Sequence, residues 1–215
     1  MRTGDVVQIF HILKEAAKNW QDETVGNITR DPFWVLIGGI LSHRTQDRTT
    51  HKVVQRLHKF IRAPEDLLAF SEEDLARLIY PVGFYREKAK RLQSIARMLL
   101  EEHEGKVPDR EEELLRLPGV GRKTANLVLS LAFGKPAICV DTHVHRITNR
   151  LGLVSTRTPE ETERALQRIL PQDLWGKVNH LLVLFGQNVC LPRNPRCHMC
   201  PIASFCERRG LPRKA

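Results

Sequence analysis

An all-α fold is predicted by three features of this 215-residue chain. Apolar residues recur at helical spacing in Val6, Ile9, Phe10, Leu13, Ala16 and Ala17, in Val53, Val54, Leu57, Phe60 and Ile61, and in Leu92, Ile95, Ala96 and Leu99. Helix start signals precede such runs: Asp31 before Pro32, Ser71 with Asp74 three residues on, and Thr158 before Pro159 with Glu161, the pattern of a capping box. No alternating strand, long-period repeat or low-complexity linker interrupts them, although residues 136–140 (PAICV) read as a short extended piece. Gly105 and Gly152 read as stops. The run FWVLIGGILS from Phe33 is apolar all round and predicts a central buried helix.

With 41% hydrophobic residues the chain can bury one large core or two small ones. Thirty-four Lys and Arg against 25 Asp and Glu give a net charge of +9, which favours a polyanionic partner such as nucleic acid. The excess is local. From Gly186 onward Arg193, Arg196, Arg208, Arg209, Arg213 and Lys214 face only Glu207, so this end is a candidate phosphate-facing surface. From Glu101 to Arg116 seven acids outnumber three bases, which reads as a solvated face turned from any polyanion. No stretch has the apolar length of a membrane span and no targeting signal is evident, so an intracellular protein is expected, in the cytoplasm or nucleoid if prokaryotic, with no membrane partner.

The segment LPGVGRKTAN, Leu117 to Asn126, places Gly119, Val120 and Gly121 between an acidic helix and a second helix starting near Arg122. The two glycines permit backbone conformations that a Cβ disfavours, and outward amides of the turn and first helical turn form a phosphate-binding nest. Lys123 sits where the helix dipole and the adjacent Arg122 disfavour a cation, a placement poor for stability and suited to offering a neutral amine as nucleophile. Eighteen residues on, Asp141 in VDTHVHR reads first as an N-cap. A helix from Arg122 to Phe133 rises roughly 18 Å. The seven residues that follow span about 23 Å when extended, enough to return Asp141 beside Lys123.

His143 and His145, two apart on a helix, point in nearly opposite directions and cannot share an ion; one is expected to pack and the other to be exposed. Cys139 reads as a buried small hydrophobe. The other four cysteines, Cys190, Cys197, Cys200 and Cys206, fall within residues 190–206 at C-x6-C-x2-C-x5-C spacing. That points to an intracellular metal site rather than a disulfide framework, and leaves zinc and a [4Fe–4S] cluster both open, with the cluster ahead. His198 is surplus to a complete four-thiolate set. Arg193 and Arg196, in the longest gap, are presented to solvent as a phosphate clamp, or else they offset the charge of the metal site.

The glycine hairpin, the Lys–Asp spacing and the cysteine pattern together resemble the endonuclease III family of DNA glycosylases. The resemblance runs from about Asp31 to Cys206. It implies two helical domains flanking a DNA-binding cleft: residues 25–135, with a helix–hairpin–helix near 112–133, and residues 1–24 with 136–215, carrying a [4Fe–4S] cluster loop at 190–206. It implies a bifunctional glycosylase and AP lyase of base excision repair, acting as a monomer on double-stranded DNA that contains oxidised pyrimidines or abasic sites. Lys123 is then the nucleophile, forming a Schiff base that permits β-elimination on the 3′ side, and Asp141 the ionised carboxylate supporting charge at the sugar. Arg44 stands where the family commonly has Gln, a departure that bears on opposite-base preference. Phe84 stands where a bulky apolar residue wedges between base pairs; its other reading is a core aromatic.

Two rival readings remain at this level. One is a monofunctional mismatch glycosylase for uracil, thymine or adenine, a branch that generally lacks the lysine. The other is a non-catalytic DNA-binding module, which leaves Lys123 and Asp141 unexplained.

Overall fold

The computed structural model describes residues 3–211. Arg213 and Lys214, counted in the basic C-terminal excess, lie outside them. The described residues form twelve α-helices and no strand. In chain order these are α1 (Thr3–Ala17), α2 (Val25–Ile28), α3 (Pro32–Ser42), α4 (Asp47–Leu57), α5 (Pro64–Leu68), α6 (Glu72–Ile79), α7 (Tyr85–Glu102), α8 (Glu111–Arg116), α9 (Arg122–Leu127), α10 (Thr142–Leu151), α11 (Pro159–Ile169) and α12 (Trp175–Asn188). They divide into two compact units, Glu23–Lys135 and Met1–Asp22 with Pro136–Ala215. No helix among the described residues is long and apolar enough to cross a membrane.

In the central unit, α3 begins where Asp31 accepts a hydrogen bond from the Trp34 amide, with Pro32 in its first turn. Residues 33–41 are all buried, as an apolar run without a polar face requires. Helix α9 approaches α3 so closely that a Cβ on Gly39 would stand 2.9 Å from Thr124 Cγ2. Helices α5 and α6 pack on α7. Ser71 caps α6 by accepting from the Asp74 amide, and the Gln93 amide of α7 donates to the carbonyls of Leu67 and Phe70 at the end of α5. Helix α7 ends at His103, where the Gly105 N–H closes on the Leu99 carbonyl.

The second unit buries Ile9, Phe10 and Leu13 of α1 against Val144, Ile147, Leu151, Leu182 and Phe185, with Trp20 stacked on Phe185 at 5.8 Å. Helix α10 closes on Gly152, whose φ of 83° suits glycine. At the start of α11, Thr158 accepts from the Glu161 amide, but Glu161 returns its bond to the Arg157 amide rather than to Thr158. The capping pattern is thus one residue wider than the sequence suggests, because the side chain reaches the preceding N–H.

Two other expectations change. Residues 136–140 join no sheet; they are a connection whose Ala137, Ile138, Cys139 and Val140 are buried, with the Cys139 carbonyl accepting from Asn179. His143 and His145 do diverge, yet neither is exposed. His143 packs against Gly186 and bonds Arg146, and His145 bonds Thr162 Oγ1 at 2.6 Å. The acidic stretch is a largely exposed face, as expected, on which Glu102 pairs with Arg116, Asp109 with Lys135 and Glu111 with Arg122. The Lys135 hydrogen bond holds the Asp109 carboxyl below the usual carboxylate range.

Gly39→Val is therefore expected to overpack the α3–α9 contact and lower stability by about 1–3 kcal/mol. The shift of the urea midpoint at unchanged slope is the measurement that checks it.

Candidate functional site

Helix α8, residues 117–121 and helix α9 form the helix–hairpin–helix. Gly119 carries a φ of 75°, and the Arg91 side chain lies over it, 2.2 Å from where a Cβ would stand. The positive φ favours glycine there; the Arg91 side chain is flexible and can swing aside from a Cβ. Gly121 is different: its φ of −103° is open to any residue, and a Cβ would meet nothing within 4 Å. Its smallness leaves the turn surface open to close approach rather than relieving strain. Val120 is buried and its N–H bonds the Leu117 carbonyl at 3.0 Å, so that amide closes the turn instead of facing outward. The Arg122 guanidinium bonds Glu111, tying the first residue of α9 to the first of α8. Beyond Leu127 the helix widens into a π-turn over Val128–Ala132.

Lys123 lies in the first turn of α9, half-buried, with its ammonium 3.4 Å from Ser42 Oγ at the end of α3. Next to Ser42, His43 Nε2 bonds Thr124 Oγ1 at 3.0 Å. Burial, and then the charges of Lys123, Lys88 and Arg91, push the His43 imidazole down to about 4. It is neutral at neutral pH. Burial and the charges of Arg91 and Lys123 bring Lys88 down to about 8. The amine of Lys123 thus sits among cations and beside a neutral imidazole.

Arg44 and Phe84 come together in the same unit. Both have left-handed backbone, φ 50° and 57°, and both are exposed, Phe84 to 57%. The guanidinium carbon stands 5.5 Å from the ring centroid. Phe84 is therefore no core aromatic: as the residue capping α7 it projects outward.

In the second unit Asp141 is half-buried at the start of α10, accepting from the Val144 amide at 2.8 Å. Two residues that sequence reasoning missed stand on the same helix. Arg146 donates to the Cys190 carbonyl, and Arg150, only 8% exposed, donates to Cys190 Sγ at 3.3 Å and to the carbonyls of Leu191 and Pro192. Nothing adjacent in the chain marked them, because the residues sharing their helix face, His143 and Asn149, are polar and such a face reads as solvated.

Cys190, Cys197, Cys200 and Cys206 line one cavity closed by Leu151, Phe185, Val189, Ile202 nearby and Leu211. Among the described residues no group of three His, Cys, Asp or Glu converges as on a single ion; the thiols surround a space instead. Burial pushes the Cys200 thiol up to about 11, with the other three thiols adding to the effect, and Cys206 moves the same way. Four thiolates share such an enclosure only around a cationic centre, and N–H donors already face two of the sulfurs, Arg150 at Cys190 and the Arg208 amide at Cys206. This donor set fits an iron–sulfur cluster. His198 is exposed and Cys139 buried, away from these roles. Arg193 and Arg196 are both exposed; Arg196 also lines the rim of the cavity and donates to the Asn188 carbonyl.

Comparison with known proteins places both regions of the chain in a family. Residues 37–172 match the HhH-GPD superfamily of base excision DNA repair proteins, and residues 190–206 match the iron–sulfur binding domain of endonuclease III. Endonuclease III of Thermotoga maritima is 55% identical over 183 residues, 84% of this chain and 86% of that protein. The chloroplastic endonuclease III homolog 2 of Arabidopsis thaliana is 48% identical over 81% of this chain, which spans only 47% of that longer protein. A trapped endonuclease III–DNA covalent intermediate superposes with a TM-score of 0.86 at 36% identity, covering 97% of both chains. The chain belongs to the endonuclease III family. It is accordingly a base-excision glycosylase and lyase carrying a [4Fe–4S] cluster.

Two outcomes follow from these sites. The folded state resists protonating His43 until about pH 4, whereas the unfolded chain takes the proton near 6.5. Stability is thus lost as pH falls from 6.5 to 4 and the loss levels off below. In Lys123→Gln the His43 titration, followed by NMR, moves upward as one repelling charge is removed. Separately, the purified protein should be yellow-brown and contain iron and acid-labile sulfide, and Cys200→Ser should lose much of both; zinc without iron would overturn the cluster assignment.

Proposed function

We propose that Lys123 is the nucleophile and Asp141 the supporting carboxylate of a reaction on damaged pyrimidines in duplex DNA. The Lys123 amine, after giving up a proton, attacks the sugar C1′ as the bond to the base breaks, and the electron pair of that bond leaves with the base. The nitrogen lone pair then opens the C1′–O4′ bond, O4′ takes up a proton, and the Schiff base so formed acidifies the C2′ proton, whose loss expels the 3′ phosphate by β-elimination. Asp141, ionised, offsets positive charge developing at the sugar. The observation that carries this reading is the setting of Lys123: first turn of α9, half-buried, with its amine 3.4 Å from the Ser42 hydroxyl at the end of α3 and beside the His43–Thr124 hydrogen bond.

DNA phosphates are assigned to the hairpin surface around Gly119, Val120, Gly121 and Arg122 and to the basic residues Arg193 and Arg196. Val120 takes part through the shape it gives the turn, since its amide is occupied. Arg44 and Phe84 are assigned to the space a flipped nucleotide leaves. Cys190, Cys197, Cys200 and Cys206 are assigned as the cluster ligands; when bound, the cluster cross-links the loop that carries the two arginines. A thermostable thymine-DNA glycosylase shares the architecture, with a TM-score of 0.82 at 27% identity. The presence of Lys123 favours the lyase reading for this chain.

Lys123→Gln is expected to abolish borohydride trapping and strand cleavage while damaged DNA still binds. Asp141→Asn, which keeps much of the capping geometry, should excise the base at least about 100-fold more slowly. It should still be trapped on a pre-formed abasic site, where no base need leave. Normal cleavage by Lys123→Gln, or loss of DNA binding by both variants in step with lost helicity, would make these positions structural.

A further inference from the structure

Lys88, on α7, is only 2% exposed, yet its ammonium has no carboxylate partner among the described residues. Its three N–H groups have three acceptors: the Leu41 carbonyl at 2.8 Å, the His43 carbonyl at 2.5 Å and Thr45 Oγ1 at 3.2 Å. The first two lie where α3 ends and its last carbonyls lack helical partners. Thr45 Oγ1 also accepts from the Gly83 amide at 3.1 Å. On the other side of this contact a Cβ on Gly83 would stand 2.5 Å from the Arg44 carbonyl oxygen. Two turns, residues 41–45 and 83–84, are therefore fastened together through one buried cation and one hydroxyl. What emerges from them to solvent is the Arg44–Phe84 pair, each residue in strained left-handed backbone.

Such an arrangement is costly, because an ammonium removed from water without a counter-anion is compensated only by dipoles. A methionine would fill the volume and leave the carbonyls unsatisfied; an ammonium alone supplies three donors from one point. The strain at Arg44 and Phe84 needs an opposing constraint, and the clamp provides it. We propose that Lys88 is a positioning residue that locks these turns together and presents Arg44 and Phe84 as one rigid cation–π unit to the duplex around the flipped nucleotide. The proposal rests on the assignment of Arg44 and Phe84 to that space.

The test uses the cluster-loaded protein with a duplex carrying one abasic site, the same strand alone, and borohydride trapping as readout. Lys88→Met is expected to raise the half-saturating protein concentration on duplex about tenfold and to reduce the duplex-over-single-strand preference correspondingly. The plateau rate should change far less, a division that general loosening of the fold does not produce. Thr45→Val, a milder cut in the same clamp, should shift the preference in the same direction, and it carries the test if Lys88→Met does not fold. Phe84→Ala should lose the preference by itself, and combining it with the clamp variant should add little, since both disable one unit. If Phe84→Ala keeps the duplex preference, the underlying assignment fails. If Phe84→Ala loses it while both clamp variants keep it, the assignment survives and the positioning role of Lys88 is overturned. Equal loss of plateau rate on duplex and single strand in the clamp variants would also overturn it.

Discussion

The contact between Gly39 of α3 and Thr124 of α9 is the constraint on which the Lys123 site depends. A helix whose residues 33–41 are all buried has no polar face to slide along, and the missing side chain at position 39 lets the next helix approach until Thr124 fills the gap. Thr124 follows Lys123, so the depth of that approach sets the height of the lysine against the end of α3. Ser42 and His43 are the residues it then meets, one near the ammonium and the other bonded to Thr124. The π-turn that follows α9 also packs against α3.

Both units solve one electrostatic problem in the same way. Lys88 in one and Arg150 in the other are buried cations neutralised by backbone carbonyls rather than by carboxylates. In each case the carbonyls lie where regular structure gives out: the last turn of α3 and the residue after it, and the start of the cysteine loop. A cation that gathers several carbonyls orders such a segment without demanding a counter-charge from it. Next to reactive groups this matters, because the cationic surroundings of Lys123 and the N–H donors at the cluster sulfurs are left uncancelled.

The sequence alone determined what depends on near neighbours. Helical periodicity, the caps at Asp31, Ser71, Thr158 and Asp141, the stop at Gly152 and the buried α3 all follow from residues within a few positions of one another, and local backbone chemistry is strong enough to express them. The hairpin and cysteine spacing were legible for the same reason. Tertiary structure decided what depends on distant partners. It distinguished Gly119, whose backbone is left-handed beneath Arg91, from Gly121, which only leaves space; turned Phe84 outward; and gave both histidines partners. Lys88, Arg146 and Arg150 were invisible as functional residues, since long cations are ordinarily solvated and nothing adjacent in the chain marks them for burial. Their roles arise from carbonyls more than forty residues away, for both Lys88 and the Arg150–Leu191 contact, brought near only when the helices pack.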